Sequence, residues 1–322
     1  MTAQEARILE LHEAFEPDAR QKIAAILAEG SVTQAQICRE SGVSSGILSP
    51  WLQEKYRGDS QAVEAKLRTW LNARERKTQI ASVLPVAPPW IETPTAEKIT
   101  AVLAYAQMAG DVGCIYGGAG MGKTVTLRAY AENNPNVWVV EMHAAGAAVA
   151  SALEEIAEAV GLRGLPSRAV RLHREIVKRL RGSEGLLIID EAQHLRTGAI
   201  EAIRALHDAT GVGLVLCGNE SVYARLTGGS REATFAQLFS RLGKRLHLAK
   251  PNRADVLHLA AHYGVTDKAE QALLMEIAAK PGALRGVVKA LRLAGMFAAG
   301  AGATAIGCEH IRAAWVDLGG AA

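Results

Sequence analysis

Residues Gly117-Gly118-Ala119-Gly120-Met121-Gly122-Lys123-Thr124 spell G-x-x-x-x-G-K-[ST], after an apolar run, Val112–Tyr116, and before a helical pattern that runs from Thr124 to Glu132. No other stretch constrains the fold as strongly. A strand, a glycine-rich turn and a helix in that order set backbone N–H groups and a helix N-terminus around one anion. Glycines keep side chains out of the approach to those amides. Lys123 adds a point charge for the β- and γ-phosphates, Thr124 offers a hydroxyl to Mg²⁺, and Val125 follows at the helix start. The segment from Gly117 to Val125 is therefore predicted to hold a nucleoside triphosphate.

The same edge of a sheet needs acids. Leu186-Leu187-Ile188-Ile189-Asp190-Glu191 is an apolar strand that ends on two carboxylates. Strands of open α/β sheets deliver such residues to the edge where ligands gather. Asp190 is predicted to join Thr124 around the metal, and Glu191 to polarise the attacking water. A helix-strand-helix stretch separates this strand from the phosphate loop, so the two are not sequence neighbours, an order that fits NTPases with an extra strand inserted between them. A second buried strand, Val212–Cys217, leads to Asn219, whose amide could orient the water or cap the following loop. Pro281-Gly282-Ala283-Leu284-Arg285 begins a helix that could bring the Arg285 guanidinium onto the phosphates.

Around these motifs the chain reads as three segments. Residues 1–76 hold short amphipathic helices, Asp18–Ala28, Thr33–Ser41, about Ser44–Tyr56, and Ser60–Arg74. Residues 77–93 form a proline-rich linker, since Lys77–Pro94 carries four prolines and few periodic apolar positions. Residues 94–250 alternate strands with helices, adding Val137–Met142, Gly185–Asp190 and Arg245–Leu248, the signature of a parallel α/β sheet. Residues 251–322 are helical, with a loop expected at Ala298–Ala305. Met1–Glu16 has no apolar leader pattern and no apolar run is long enough to span a bilayer, so the expectation is a cytoplasmic protein that does not engage membranes. Cys38, Cys114, Cys217 and Cys308 lie far apart with no C-x-x-C spacing and read as reduced packing residues.

Charge is informative in its distribution. Between Gly161 and Arg181 the cations Arg163, Arg168, Arg171, Arg174, Lys178, Arg179 and Arg181 face a single acid, Glu175. Arg171, Arg174 and Lys178 recur at intervals of three and four, one stripe of a helix. Clustered cations without base-reading side chains suit the backbone of double-stranded DNA. Residues 1–76, by contrast, carry 10 Lys and Arg against 11 Asp and Glu. There Thr33–Ser49 resembles a helix-turn-helix of the phage-repressor type, with Ala35, Ile37 and Val43 at the packing positions and Gly42 at the turn. Pro50 falls within the expected recognition helix, unless Ser49 caps a later helix with Pro50 in its first position.

The phosphate loop, the Asp190-Glu191 strand, Asn219 and the Gly282-x-Leu284-Arg285 helix together resemble the AAA+ ATPases, from about Thr93 to Leu318. The resemblance implies a P-loop NTPase core with a helical lid, binding ATP and Mg²⁺, whose subunits assemble around the nucleotide with an arginine supplied by the neighbour. Arg241, in Phe239-Ser240-Arg241-Leu242-Gly243-Lys244-Arg245, is the first candidate for that arginine and Arg245 the second. The order SGVSSGILSPWLQEKYRGD, LLIIDEAQHL, GLVLCGN, TGGSREATFAQLFSRLGKR and KPGALR is similar to the Mu B-type transposition target activators of phages and prophages, over nearly the whole chain. That likeness implies ATP-dependent, largely sequence-nonspecific assembly on duplex DNA as an oligomer or helical filament, and delivery of that DNA to a partner transposase whose strand transfer it stimulates. Two other classes stay open at this point. A secretion-type AAA+ regulatory ATPase acting on proteins would lack the N-terminal helices and usually carry a membrane segment. A helix-turn-helix transcriptional regulator would bind a preferred sequence without ATP.

Overall fold

The computed structural model describes residues 18–83, 90–227 and 242–320. The chain divides into two compact units, Met1–Leu84 and Pro85–Ala322.

The first unit is helical: α1 (Ala19–Ala28), α2 (Gln34–Ser41), α3 (Ser45–Leu52) and α4 (Ser60–Val83). Two starts are set by side chains that accept from exposed backbone N–H groups, Asp18 from Arg20 at 3.3 Å and Thr33 from Gln36 at 3.3 Å. Gly42 ends α2 in the left-handed region, φ 71°, the turn expected there. Ile23, Ile37, Val43, Leu48, Trp51, Val63, Leu67 and Trp70 form the core. Ala35, expected at the helix-helix contact, is exposed instead, so Ile37 and Val43 alone of that trio pack. Pro50 lies inside α3 and does not open a later helix. It cannot donate to the carbonyl of Gly46, which leaves the helix short, ending two residues on at Leu52. Buried Leu48 and Trp51 hold it in place, the latter through Trp51 Nε1 to Ser60 Oγ at 3.0 Å. Helix α4 continues to Val83, beyond the point where the linker was expected to begin at residue 77. The prolines exclude helix only around their own positions, and the first of them is Pro85.

The second unit is built on a five-stranded, all-parallel sheet in the order β2-β3-β4-β1-β5, from β1 (Val112–Gly117), β2 (Val137–Glu141), β3 (Leu186–Asp190), β4 (Gly213–Gly218) and β5 (Leu242–Leu248). Strand β4 stands between β1 and β3 in the sheet, whereas β2, the strand that separates them in sequence, lies at the edge. Its helices are α5 (Pro94–Ala109), α6 (Lys123–Asn133), α7 (Val149–Ala159), α8 (Ala169–Leu180), α9 (Thr197–Thr210) and α10 (Glu220–Thr227). Strands β1, β3 and β4 are buried along their whole length, as parallel strands covered on both faces must be. Cys114 and Ile115 show the alternation, one in each of the two apolar layers that sandwich the sheet. Edge strand β5 starts at Leu242, three residues earlier than its sequence suggested, because its alternation of apolar with charged residues hides the pattern of a buried strand.

Four helices complete the unit: α11 (Arg253–His262), α12 (Lys268–Ala278), α13 (Ala283–Gly300) and α14 (Cys308–Asp317). They enclose a core of their own around Leu274, Val287, Leu291 and Ile311. Helix α13 runs on to Gly300, so the expected loop at Ala298–Ala305 is helical in its first three residues. Asp255, fully buried, joins these helices to the sheet domain. It accepts from Thr95 N at 2.9 Å, Thr95 Oγ1 at 2.5 Å and Asn252 N at 3.1 Å, serving the N-termini of α5 and α11 together. Among the described residues no helix is long and apolar enough to cross a membrane.

Candidate functional site

At the end of β1 the backbone leaves the sheet through Gly117, φ 148°, where a Cβ would overlap the carbonyl oxygen of Leu248 on β5. The loop closes at Gly122 and α6 starts with Lys123. Lys123 Nζ donates to the carbonyls of Gly117 and Gly118 at 2.9 and 2.8 Å, so its ammonium stands over the mouth of the loop. Val125, on the same first turn, is about half exposed.

Strand β3 brings Asp190 to that helix start. Thr124 Oγ1 donates to Asp190 Oδ2 at 2.6 Å, and Glu191 N to Asp190 Oδ1 at 2.9 Å. Asp190 is 1% exposed, and a carboxylate with so little water needs such partners or a cation. A hydroxyl and a carboxylate in contact, beside a loop that holds phosphate, form the hard oxygen donor set that suits Mg²⁺. Cys217, in β4, also faces this carboxylate. Burial first, then the charge of Asp190, push its thiol well above the usual range. Nothing in the sequence marked Cys217 as a neighbour of Asp190.

Glu191 occupies the left-handed region, φ 51°, a conformation that costs a non-glycine residue about 1–3 kcal/mol. Its carboxylate accepts from Gln193 Nε2. Asn219 is exposed and does what a capping residue does, its Oδ1 accepting from Ser221 N at 2.9 Å and Ser221 Oγ at 2.6 Å. Of the two sequence readings of Asn219, capping is the one its carbonyl oxygen performs.

The lid meets the loop through backbone. Arg285 N donates to Gly120 O at 3.2 Å, and a Cβ on Gly120, φ 77°, would overlap the carbonyl oxygen of Gly282. The Arg285 side chain is exposed and leaves the helix beside the loop. Between loop and lid opens a cavity of ≈ 700 Å³, mainly apolar, with Met121, Met275, Ala278 and Pro281 in its wall and Lys250 and Arg253 among its cations. Its size and apolar wall suit a nucleoside next to the phosphates. Met121 was predicted only as a loop residue, and the rest of the wall comes from segments that carry no motif.

Of the two arginines considered for a neighbour's site, Arg241 lies outside the described residues. Arg245 donates from Nη1 to Tyr223 Oη at 2.8 Å within its own chain. Tyr223 stacks on Tyr116, and Tyr116 on His247, with ring centroids 4.3 and 4.7 Å apart.

Helix α8 presents the basic residues in two groups. Leu172, Ile176 and Leu180 turn one face into the core. On the outer face Arg168, Arg171, Arg174 and Lys178 line a shallow groove with Val170. Exposed Arg163 precedes the helix. Lys178 pairs with Glu175 at 2.9 Å, and the Lys178 hydrogen bond holds the Glu175 carboxyl below its usual range. The side chains of Arg163, Arg168, Arg171 and Arg174 make no hydrogen bond or ion pair with the described residues. Arg179 does not belong with them: its Nε donates to Val160 O at 3.1 Å and its guanidinium lies 5.6 Å from the Trp138 ring centroid. Arg181 is likewise tied, to Ala209 O at 3.3 Å.

Residues 240–318 match the family model described as Mu B transposition protein, C terminal, and residues 107–226 match one described as AAA domain. The chain is 37% identical over 301 residues to the ATP-dependent target DNA activator B of Escherichia phage Mu, covering 94% of this chain and 95% of that protein. It is 38% identical over 266 residues to the Mu-like prophage FluMu DNA transposition protein B of Haemophilus influenzae, covering 82% and 92%. Among solved structures, the Aeropyrum pernix ORC2 protein superposes with TM-score 0.53 at 21% identity over 72% of this chain and 70% of that one. The ORC1 protein of the same organism, in complex with DNA, gives 0.52 at 23% over 73% and 68%. At these identities the structural likeness shows the AAA+ fold.

Proposed function

The chain belongs to the family of phage Mu B transposition proteins, and on that premise we propose that it is an ATPase whose nucleotide state controls assembly on target DNA for a partner transposase. One observation carries the reading: a single unit holds both a phosphate loop locked against an acidic strand and an outward row of arginines whose side chains have no partner among the described residues.

ATP lies with its phosphates on the Gly117–Thr124 loop and its base in the cavity under the lid. Lys123 neutralises the β/γ-phosphates. Thr124 and Asp190 would hold Mg²⁺, which would supply charge stabilisation to the phosphates. Glu191 polarises the water, Asn219 marks the end of the third phosphate, and Arg285 reaches the nucleotide from the lid. Arg241 serves the site of an adjoining copy. Nucleotide held between copies aligns many α8 faces along one duplex. A face with a few phosphate contacts binds nonspecifically at roughly 10⁻⁴–10⁻⁶ M, and repetition along a filament multiplies that affinity without new contacts.

Electron microscopy of the purified chain with random-sequence duplex, with and without ATP, is the test. Filaments on DNA only with ATP are expected. Sequence-selective binding without ATP would replace the reading with that of a transcriptional regulator, and ATP turnover with no DNA binding at all would point to a protein-directed ATPase.

A further inference from the structure

Between Glu191 and Asn219 stands Gln193, two residues past the Asp190-Glu191 pair, to which the sequence assigned no role. Its Nε2 donates to Glu191 Oε2, and its Oε1 accepts the Asn219 backbone N–H at 3.3 Å. The backbone is shaped to bring it there. Glu191 turns into the left-handed region, and a single 3-10 turn, Ala192–His194, folds the chain back with Ala192 buried. Gly218 leaves the room, since a Cβ at that position would overlap Gln193 Oε1. Asn219 is held from its other side by Ser221. A second carboxylate at position 193 would repel Glu191 and could not donate, and a cation would have no acceptor for the Asn219 N–H. A side-chain amide donates to the carboxylate and accepts from the peptide at once.

We propose that Gln193 is a positioning residue for ATP hydrolysis, which fixes the Glu191 carboxylate and keeps it in register with the Asn219 end of β4. The proposal rests on the reading of Glu191 as the water-polarising group. In the step it serves, water gives a proton to Glu191 while its oxygen bonds to the γ-phosphorus. The bond from that phosphorus to the β–γ bridging oxygen breaks, and the electron pair stays on ADP. Holding Oε2 of Glu191 leaves Oε1 to take the proton.

The test uses the full chain with Gln193→Leu, Gln193→Met, Glu191→Gln and the double variant Glu191→Gln/Gln193→Leu. ATP turnover gives kcat and KM, a fluorescent ATP analogue gives binding, and thermal melting checks the fold. Gln193→Leu is expected to lower kcat by roughly 10²-fold, the scale of an ångström's misplacement, with KM and analogue affinity within about twofold of native, since the phosphate loop is untouched. The double variant should be no slower than Glu191→Gln alone, because nothing remains to be positioned. Native kcat in both Gln193 variants overturns the proposal, as does an independent further loss in the double variant. A kcat above native also overturns it, making the amide a restraint that holds Glu191 off the water. Should the leucine variant melt early, the unbranched methionine carries the comparison. A native rate for Glu191→Gln would sink the underlying reading of Glu191, an outcome distinct from all of these.

Discussion

The phosphate loop and the outer face of α8 both handle phosphate, yet they are built on opposite principles. Around the loop the polar side chains are held within the chain, Lys123 on two carbonyls, Thr124 on Asp190 and Gln193 on Glu191, and the Gly120 carbonyl is held by the lid. On α8 the charges at Arg168, Arg171 and Arg174 project from a helix whose other face is fixed by Leu172, Ile176 and Leu180. A site that must recognise one tail of phosphates in one geometry is pre-organised, and its donors and acceptors are already set against each other. A surface that meets any duplex needs charge density and free side-chain reach. The difference teaches that substitutions in the loop should change what happens to ATP, whereas substitutions on α8 should change only how firmly DNA is held.

The largest expected effect breaks the comparison at the loop. Glu191→Gln should keep ATP and DNA binding while hydrolysis drops by about 10²–10⁴-fold, the usual contribution of a general base. A phosphate-release assay beside analogue binding checks this. Adding Arg241→Ala chains, if Arg241 acts on a neighbour, should restore part of the activity, since some junctions then hold an intact residue of each kind.

Lys123→Ala comes next. Loss of the charged hydrogen-bond donor should weaken ATP by roughly 10–10²-fold and take ATP-dependent DNA binding with it, as titration by fluorescence anisotropy would report. If DNA binding survives intact, the two regions are not coupled.

On α8 the triple change of Arg171, Arg174 and Lys178 to Ala should leave ATP binding native and flatten the salt dependence of DNA binding, by about 0.9 in log–log slope for each phosphate contact removed. Deleting residues 1–84, the whole first unit including the full length of α4, should weaken DNA binding less than the triple change does. Reversal of that order would move the DNA surface to the first unit.

Arg179→Ala sharpens the comparison with the smallest effect. Its guanidinium is engaged with Val160 and Trp138, so DNA affinity should stay within about twofold. The melting temperature should fall by the equivalent of roughly 0.5–1 kcal/mol for an exposed cation–ring contact. A DNA defect as large as that of Arg171→Ala would return Arg179 to the binding face.

What the sequence revealed and what it hid divide along the same physical line. The loop and the acidic strand were legible because strand, turn and helix are contiguous and each obeys a local rule. The two arginine groups of α8 were not separable by spacing, because what engages Arg179 is a ring on β2 and a carbonyl after α7. Cys217, Gln193 and the lid-side wall of the cavity were invisible for the same reason: chain segments far apart meet there. Of the two readings of Pro50, a place inside the recognition helix holds and a new helix start does not, since buried Leu48 and Trp51 keep that helix packed. Ala35 fell to helical spacing read without its neighbours, and it is exposed.

Asp255 bears on how such proteins can be cut and rejoined. Its acceptor sites are filled by Thr95, 160 positions upstream, as well as by its own helix start. A chimera that took its lid from a relative at Pro251 but kept a first core helix lacking the Thr95 hydroxyl would leave a buried carboxylate short of a donor, a defect on the order of 3–5 kcal/mol if the ion lost its partners altogether. The heritable module is therefore discontinuous: the four lid helices and the opening turn of α5 have to travel together, although the whole five-stranded sheet lies between them in the chain.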